Sequence, residues 1–156
     1  LDSEKIKNDI ILKFKKNNIN KEQLILEGEA KTRKELLNVY NKIDIGLDPF
    51  PFQGNTTTIE SIWMGVPVIT LKGNRYIFHF GESINSNLNM PNWIAKDHKD
   101  YISKAIKFSE NIDELSNIRK NLRNKVLKSP IFNSKRFADH FDKMLWNIWE
   151  TSLIKN

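Results

Sequence analysis

The stretch DPFPFQGNTTTIESIWMGVPVIT, residues 48–70, decides how this chain folds. One apolar run, IDIGL, leads into it, and a second, PVITLKG, closes it. Between them lie two prolines, Gly54, Asn55, three consecutive threonines and Glu60. Strand, loop, helix, strand in that order is the crossover of a parallel sheet, since parallel neighbours need a helix-length connection. Gly65 is a helix stop, and Pro67 follows it where a helix cannot continue.

The same alternation extends outward. Ile6, Ile10, Ile11 and Phe14 recur at helical spacing and predict an amphipathic helix over 3–17, ended by Asn17-Asn18. QLILEG, 23–28, is a short apolar run closed by Gly28 and reads as a buried strand. TRKELLNVYNKI, 32–43, puts Leu36, Leu37 and Tyr40 on one helical face, with Thr32 as N-cap three residues before Glu35. IDIGLDP, 43–49, and PVITLKG, 67–73, read as strands on either side of the helix TTIESIWMG, 57–65. Nearly continuous apolar strands alternating with helices imply an α/β fold with helices on the faces of a parallel sheet.

Downstream, 78–88 reads as a helix and NWIA, 92–95, as a short edge strand. Three helical stripes follow. They are Tyr101, Ile102, Ala105 and Ile106; then Leu115, Ile118, Leu122 and Val126; then Phe137, Phe141, Met144, Leu145 and Ile148. Pro130 separates the last two helices, and the aromatics near Trp146 and Trp149 read as packing. No repeat or linker interrupts the 156 residues, so one domain is expected.

Composition narrows the chemistry. With no cysteine, disulfides and thiolate nucleophiles are excluded. His79, His98 and His140 have no metal-ligand spacing. No apolar run reaches the ~20 residues of a transmembrane helix, and no signal peptide is visible, so a cytoplasmic protein without a membrane partner is expected. The net charge of +6 permits anionic partners but selects none. Arg119, Lys120, Arg123, Lys125 and Lys128 on one helix are the whole case for a nucleic-acid face, and no nucleic-acid partner is expected.

The opening stretch carries the best candidate site. Ligands of open parallel sheets bind outside the carboxyl ends of the strands, and Asp48 lies at such an end. A helix starting near Thr56 would present unpaired N–H groups to a phosphate. Gly54 lets the backbone come close, and Thr56, Thr57 and Thr58 add hydroxyls. Glu60 could accept from the hydroxyls of a ribose. Thr57-x-x-Glu60 is equally well read as a capping box that needs no ligand. Residue spacing leaves the two readings balanced. Dinucleotide-binding, P-loop and nucleophile-elbow signatures are absent.

VYNKIDIGLDPFPFQGNTTTIESIWMGVPVITLKGNR, 39–75, resembles the C-terminal lobe of the O-linked N-acetylglucosamine transferase family. The similarity runs on through GESI (81–84), WIA (93–95), SPIFNSKRFA (129–138) and MLWNIW (144–149). It implies a partial Rossmann-like GT-B C-terminal lobe of three to four parallel strands flanked by helices, with a helical C-terminus. It also implies an inverting transferase that moves a sugar from UDP to a protein side chain and uses no cofactor beyond that donor. Asn55, Thr56 and Thr57, with Gly54, would hold the diphosphate, and Glu60 the ribose. Lys31 and Arg33 fall in a segment that matches a loop against the uracil, and Asp48 and His79 are further candidates. Leu36, Tyr76 and His79 depart from residues usual in the family. The family's earlier strands, its N-terminal lobe and its tetratricopeptide repeats have no counterpart here. The resemblance thus implies that the acceptor protein binds outside this chain, that the isolated chain is inactive, and that a homodimer could cover open apolar surface. A non-catalytic nucleotide-sugar-binding module and another GT-B transferase are the alternatives.

Overall fold

A strand covered on both faces must be apolar throughout, and Val68–Leu71 meets that condition: all four residues are buried. This is β2, the centre of the sheet. The computed structural model describes residues 3–154. They divide into two compact units, one ending at Asn38 and the other beginning at Val39.

In the first unit, α1 (Glu4–Lys15) realises the expected amphipathic helix, and Asn18, at φ 62°, follows its end. A 3-10 turn, Lys21–Gln23, comes next, where the amide of Asn20 donates to Gln23 Oε1 at 2.9 Å. α2 (Arg33–Val39) begins as the sequence predicts. The Glu35 amide donates to Thr32 Oγ1 at 3.2 Å, and the Glu35 carboxylate accepts from the Lys31 amide at 2.9 Å. The helix stops at Val39, and a 3-10 turn, Tyr40–Lys42, replaces the rest of the expected span.

The strand expected over 23–28 does not form. Leu24 has extended backbone, φ −111° and ψ 129°, so the local preference is expressed. A strand also needs a neighbour for its ladder. Every ladder among the described residues lies in the second unit. Leu24 and Leu26 instead line a cleft with Ile11 of α1, while Ile25 is 81% exposed.

The second unit contains β1 (Gly46–Leu47), α3 (Thr56–Trp63), β2, α4 (Phe80–Asn87), β3 (Ile94–Ala95), α5 (His98–Glu110), α6 (Ile112–Leu127) and α7 (Ser134–Ile154). The strand order is β1-β2-β3, all parallel, with Gly46 opposite Val68 and Thr70 opposite Ile94. β3 is thus an edge strand, as expected. β1 is far shorter than the apolar run around it, although its ladder bonding continues through the Asp48 amide to Ile69 O at 3.0 Å.

The core is Ile62, Val68, Ile69, Ile84, Leu88, Met90, Trp93, Phe108, Leu115, Leu122 and Val126. Trp93 and Phe108 stack with ring centroids 4.2 Å apart. Three of the four α6 stripe residues lie in this core, and Ile118 packs against it. The α5 stripe is only half realised. Tyr101 and Ala105 pack inward, whereas Ile102 and Ile106 face solvent. The α7 stripe is exposed throughout, and so are Trp146 and Trp149, so the packing expected of those aromatics is not met. Their helical period is correct, but no described element covers them.

The basic residues of α6 serve the fold. Arg119 donates to Ile43 O and to the Asp44 carboxylate. Arg123 lies 4.4 Å over the Trp63 ring, and Lys125 donates to Asn89 O at 3.2 Å. Three of the five charges that suggested a polyanion surface therefore hold α6 to its neighbours. No described helix is long and apolar enough to cross a membrane.

Leu122 is 1% exposed, so Leu122→Ala should cost roughly 2–5 kcal/mol. Ile102→Ala on the outer half of the α5 stripe should change stability by less than about 0.5 kcal/mol. Urea unfolding of the two variants measures both effects.

Candidate functional site

The carboxyl ends of β1 and β2 are tied together by one carboxylate. Asp48, immediately after β1, is 4% exposed. Its Oδ2 accepts from Thr70 Oγ1 of β2 at 2.8 Å, and its Oδ1 accepts from the Gly54 amide at 2.7 Å. The first bond fixes the aspartate to the sheet, and the second closes the loop 48–54 back onto it. Burial pushes the Asp48 carboxyl above its ordinary value of 3.8, although the bonds from Gly54 and Thr70 oppose the rise. The Tyr101 hydroxyl donates to Asp48 O at 2.9 Å. Burial, and then the Asp48 charge, push that phenol up to about 12.

Gln53 holds the loop at a second point. It is 1% exposed, donates from Nε2 to Leu71 O at 2.5 Å, and accepts from the Gly81 amide at 3.0 Å. This brings the start of α4 against the loop that feeds α3. Gly81 is required for that approach: a Cβ there would lie 2.2 Å from Thr70 Oγ1 and 2.7 Å from Asp48 Oδ2. The Phe50-Pro51 peptide within the loop is cis.

The loop delivers the chain to the start of α3. Asn55 is the N-cap residue, and its side chain makes no capping bond. The first intrahelical bond runs from the Ile59 amide to Asn55 O, so the amides of Thr56, Thr57 and Thr58 have no acceptor within the helix. Thr58 is buried and donates to Gly54 O at 3.0 Å, whereas Asn55, Thr56 and Thr57 are exposed. A Cβ on Gly54 would lie 2.6 Å from Thr57 Oγ1 and 2.8 Å from Thr58 Oγ1. The result is an exposed cluster of amides and hydroxyls on a rigid support.

The Thr57–Glu60 capping box is not present, because the helix starts two residues before that reading requires. Thr57 and Glu60 are both inside α3, and Glu60 lies in the second turn rather than the first. Its carboxylate is buried beside the Tyr40 hydroxyl, Oε2 being 3.5 Å away, and the same hydroxyl lies 3.3 Å from Thr57 O. At i, i+3 spacing, Glu60 shares a helix face with Thr57.

His79 is the residue preceding α4. Its Nδ1 is 2.7 Å from Glu82 Oε2, and Glu82 Oε1 accepts from Lys72 Nζ at 2.6 Å. The Lys72 bond first, and His79 after it, hold Glu82 below its ordinary value of 4.5. Lys31 and Arg33 lie at the start of α2 in the first unit, where Leu36 is partly exposed. Among the described residues, no group of three His, Cys, Asp or Glu is placed to hold a metal.

Asp48, Gly54, Asn55, Thr56, Thr57 and Glu60 thus converge at the carboxyl end of the sheet. The sequence reading missed Gln53, Gly81, and the Lys72–Glu82 partnership with His79. Gln53 had one usable signal, as the single polar side chain between Asp48 and Gly54 in a loop of prolines and phenylalanines.

The model of glycosyl transferase family 41 matches residues 5–141. The chain belongs to this family. A probable UDP-N-acetylglucosamine-peptide N-acetylglucosaminyltransferase SPINDLY from Eustoma exaltatum subsp. russellianum is 35% identical over 138 residues, covering 82% of this chain and 15% of the relative. The similarly named protein of Solanum lycopersicum is 33% identical over 113 residues, covering 72% of this chain and 12% of the relative. The chain therefore spans a small fraction of the length of the curated relatives it matches. In structure, it resembles a mutant of the Thermobaculum terrenum O-GlcNAc transferase, with a TM-score of 0.84 and 24% identity over 96% of this chain and 29% of the other. That likeness shows the fold expected of a family 41 chain, a partial GT-B C-terminal lobe of three parallel strands with helices around them.

Asp48→Ala should leave the buried Thr70 hydroxyl and the half-buried Gly54 amide without an acceptor, at roughly 1–3 kcal/mol for the hydroxyl and less for the amide. Asp48→Asn keeps an acceptor and should cost less. The pH dependence should also separate the variants. A carboxyl whose pKa is raised on folding binds its proton more tightly in the folded state. Its contribution is therefore full below 3.8 and is lost as pH rises through the raised folded value. Unfolding free energy against pH should fall across that window in the parent chain relative to Asp48→Asn, which has no such proton.

Proposed function

We propose that this chain is the donor-binding end of an inverting protein glycosyltransferase that moves a sugar from UDP to a protein side chain. The observation that carries the reading is the start of α3, where three amides without helical acceptors and the exposed Asn55, Thr56 and Thr57 side chains stand at the carboxyl end of a parallel sheet. Family membership makes a nucleotide sugar the ligand to test first, because the two plant relatives are named for UDP-N-acetylglucosamine and a peptide acceptor.

In this reading the diphosphate lies on the Thr56–Thr58 amides and the Thr56 and Thr57 hydroxyls. Gly54 and Asn55 stand alongside, and Glu60 accepts from the ribose hydroxyls. During transfer the acceptor atom forms a bond to the anomeric carbon and gives up its proton to the departing diphosphate or to water, while the bond from that carbon to the diphosphate oxygen breaks. UDP leaves with the electron pair. Donors fixed before the reaction stabilise that growing charge without reorganising, which is where an arrangement of this kind lowers a barrier. Asp48 and Gln53 would act indirectly, by holding the loop that sets the position of the donors.

The test is an NMR titration of the 156-residue chain with UDP. The amides of residues 54–60 should move, and a Thr56→Val, Thr57→Val double variant should bind at least about tenfold more weakly. Unmoved amides at 54–60 in millimolar UDP, or parental affinity in the double variant, would overturn the assignment.

A further inference from the structure

His79 sits outside the α3 cradle. It closes the turn after β2 and immediately precedes α4, whose Gly81 amide is bound to Gln53 in the loop entering α3. The Glu82 carboxylate bridges two cationic groups, taking Lys72 Nζ on one oxygen and His79 Nδ1 on the other. That fork fixes the imidazole ring and makes Nδ1 the donor. Nε2 then remains for a ligand on a side chain that is 45% exposed. The charge count matters as well. Lys72 alone neutralises Glu82, so an imidazolium at His79 is surplus positive charge at the carboxyl end of β2.

We propose that His79, as an imidazolium oriented by Glu82, is a phosphate contact of the same site and donates Nε2–H to a non-bridging oxygen of the donor diphosphate. This rests on the reading of the α3 cradle given above. The α3 amides take one side of the diphosphate, and His79 approaches from the start of α4. The imidazole is bonded to Glu82 of α4, whose other oxygen takes Lys72 just after β2, and Arg75 and Tyr76 stand in the preceding turn. Buried Asp48 lies behind Gly81. The diphosphate diester of a UDP-sugar does not change charge near neutrality, so a pH dependence of its binding in that range reports on the protein.

The experiment measures binding of UDP-N-acetylglucosamine to the 156-residue chain between about pH 5 and 8. The ring proton of His79 is followed by NMR in the same samples. Binding should strengthen by about tenfold toward the acid end, and His79 should hold its proton to higher pH when ligand is bound. His79→Asn keeps a donor for Glu82 in the place of Nδ1 and lacks Nε2. It should stay folded, bind weakly and lose the pH dependence. Glu82→Gln keeps an acceptor for Nδ1 and should retain the dependence. If the 54–60 amides respond to ligand but His79→Asn keeps the parental pH profile, the His79 assignment is overturned while the cradle stands. If those amides do not respond at all, both are overturned.

Discussion

The second unit depends on a carboxylate that is placed where carboxylates are costly. Asp48 is buried at the end of β1, yet it accepts from the sheet through Thr70 and from the loop through Gly54. A buried acceptor with both oxygens engaged fixes geometry, because any displacement leaves a donor or an acceptor unsatisfied. The loop that follows carries Phe50, Pro51 and Phe52 on its outer side and has no strand to hold it. Asp48 and Gln53 supply the anchorage a ladder would have given. They bring the starts of α3 and α4 to the same end of the sheet, with Gly54 and Gly81 allowing the close approach.

Much of this was legible in the residues. β2 was clear because a strand covered on both faces must be apolar throughout, and Val68–Leu71 is the segment that satisfies this. The stripe on α6 was clear because the period of 3.6 and the burial agree. QLILEG misled for a definite reason. Apolar content and extended backbone are local properties, whereas a strand is a property of two segments. The stripes on α5 and α7 misled differently. They have the period of a buried face, but Ile102, Ile106, Phe141 and Trp149 have no described element over them.

The candidate site was legible as a place before it was legible as a mechanism. Asp48, Gly54, Asn55, Thr56 and Thr57 could be read as a strand end, a loop and a helix start. Their division of labour could not. Asp48 reads as an acid near a ligand, but it is consumed by its own loop. Glu60 reads as a cap, but it lies a turn too deep and next to Tyr40. Gln53 and Gly81 act across 28 positions of sequence, and no local pattern signals a bond of that range. The lesson is one of distance: period and punctuation locate elements, and long-range polar bonds decide what those elements hold in place.

The most direct test of the account is the UDP affinity of Gly54→Ala, measured by calorimetry beside a urea unfolding curve of the same variant. Gly54 touches neither the core nor the sheet ladder, and its missing side chain is what lets the loop close against Thr57 and Thr58. The account predicts that unfolding stays cooperative while UDP affinity falls at least about tenfold, because the α3 amides and hydroxyls are moved from their positions. Parental UDP affinity in a folded Gly54→Ala chain would contradict it.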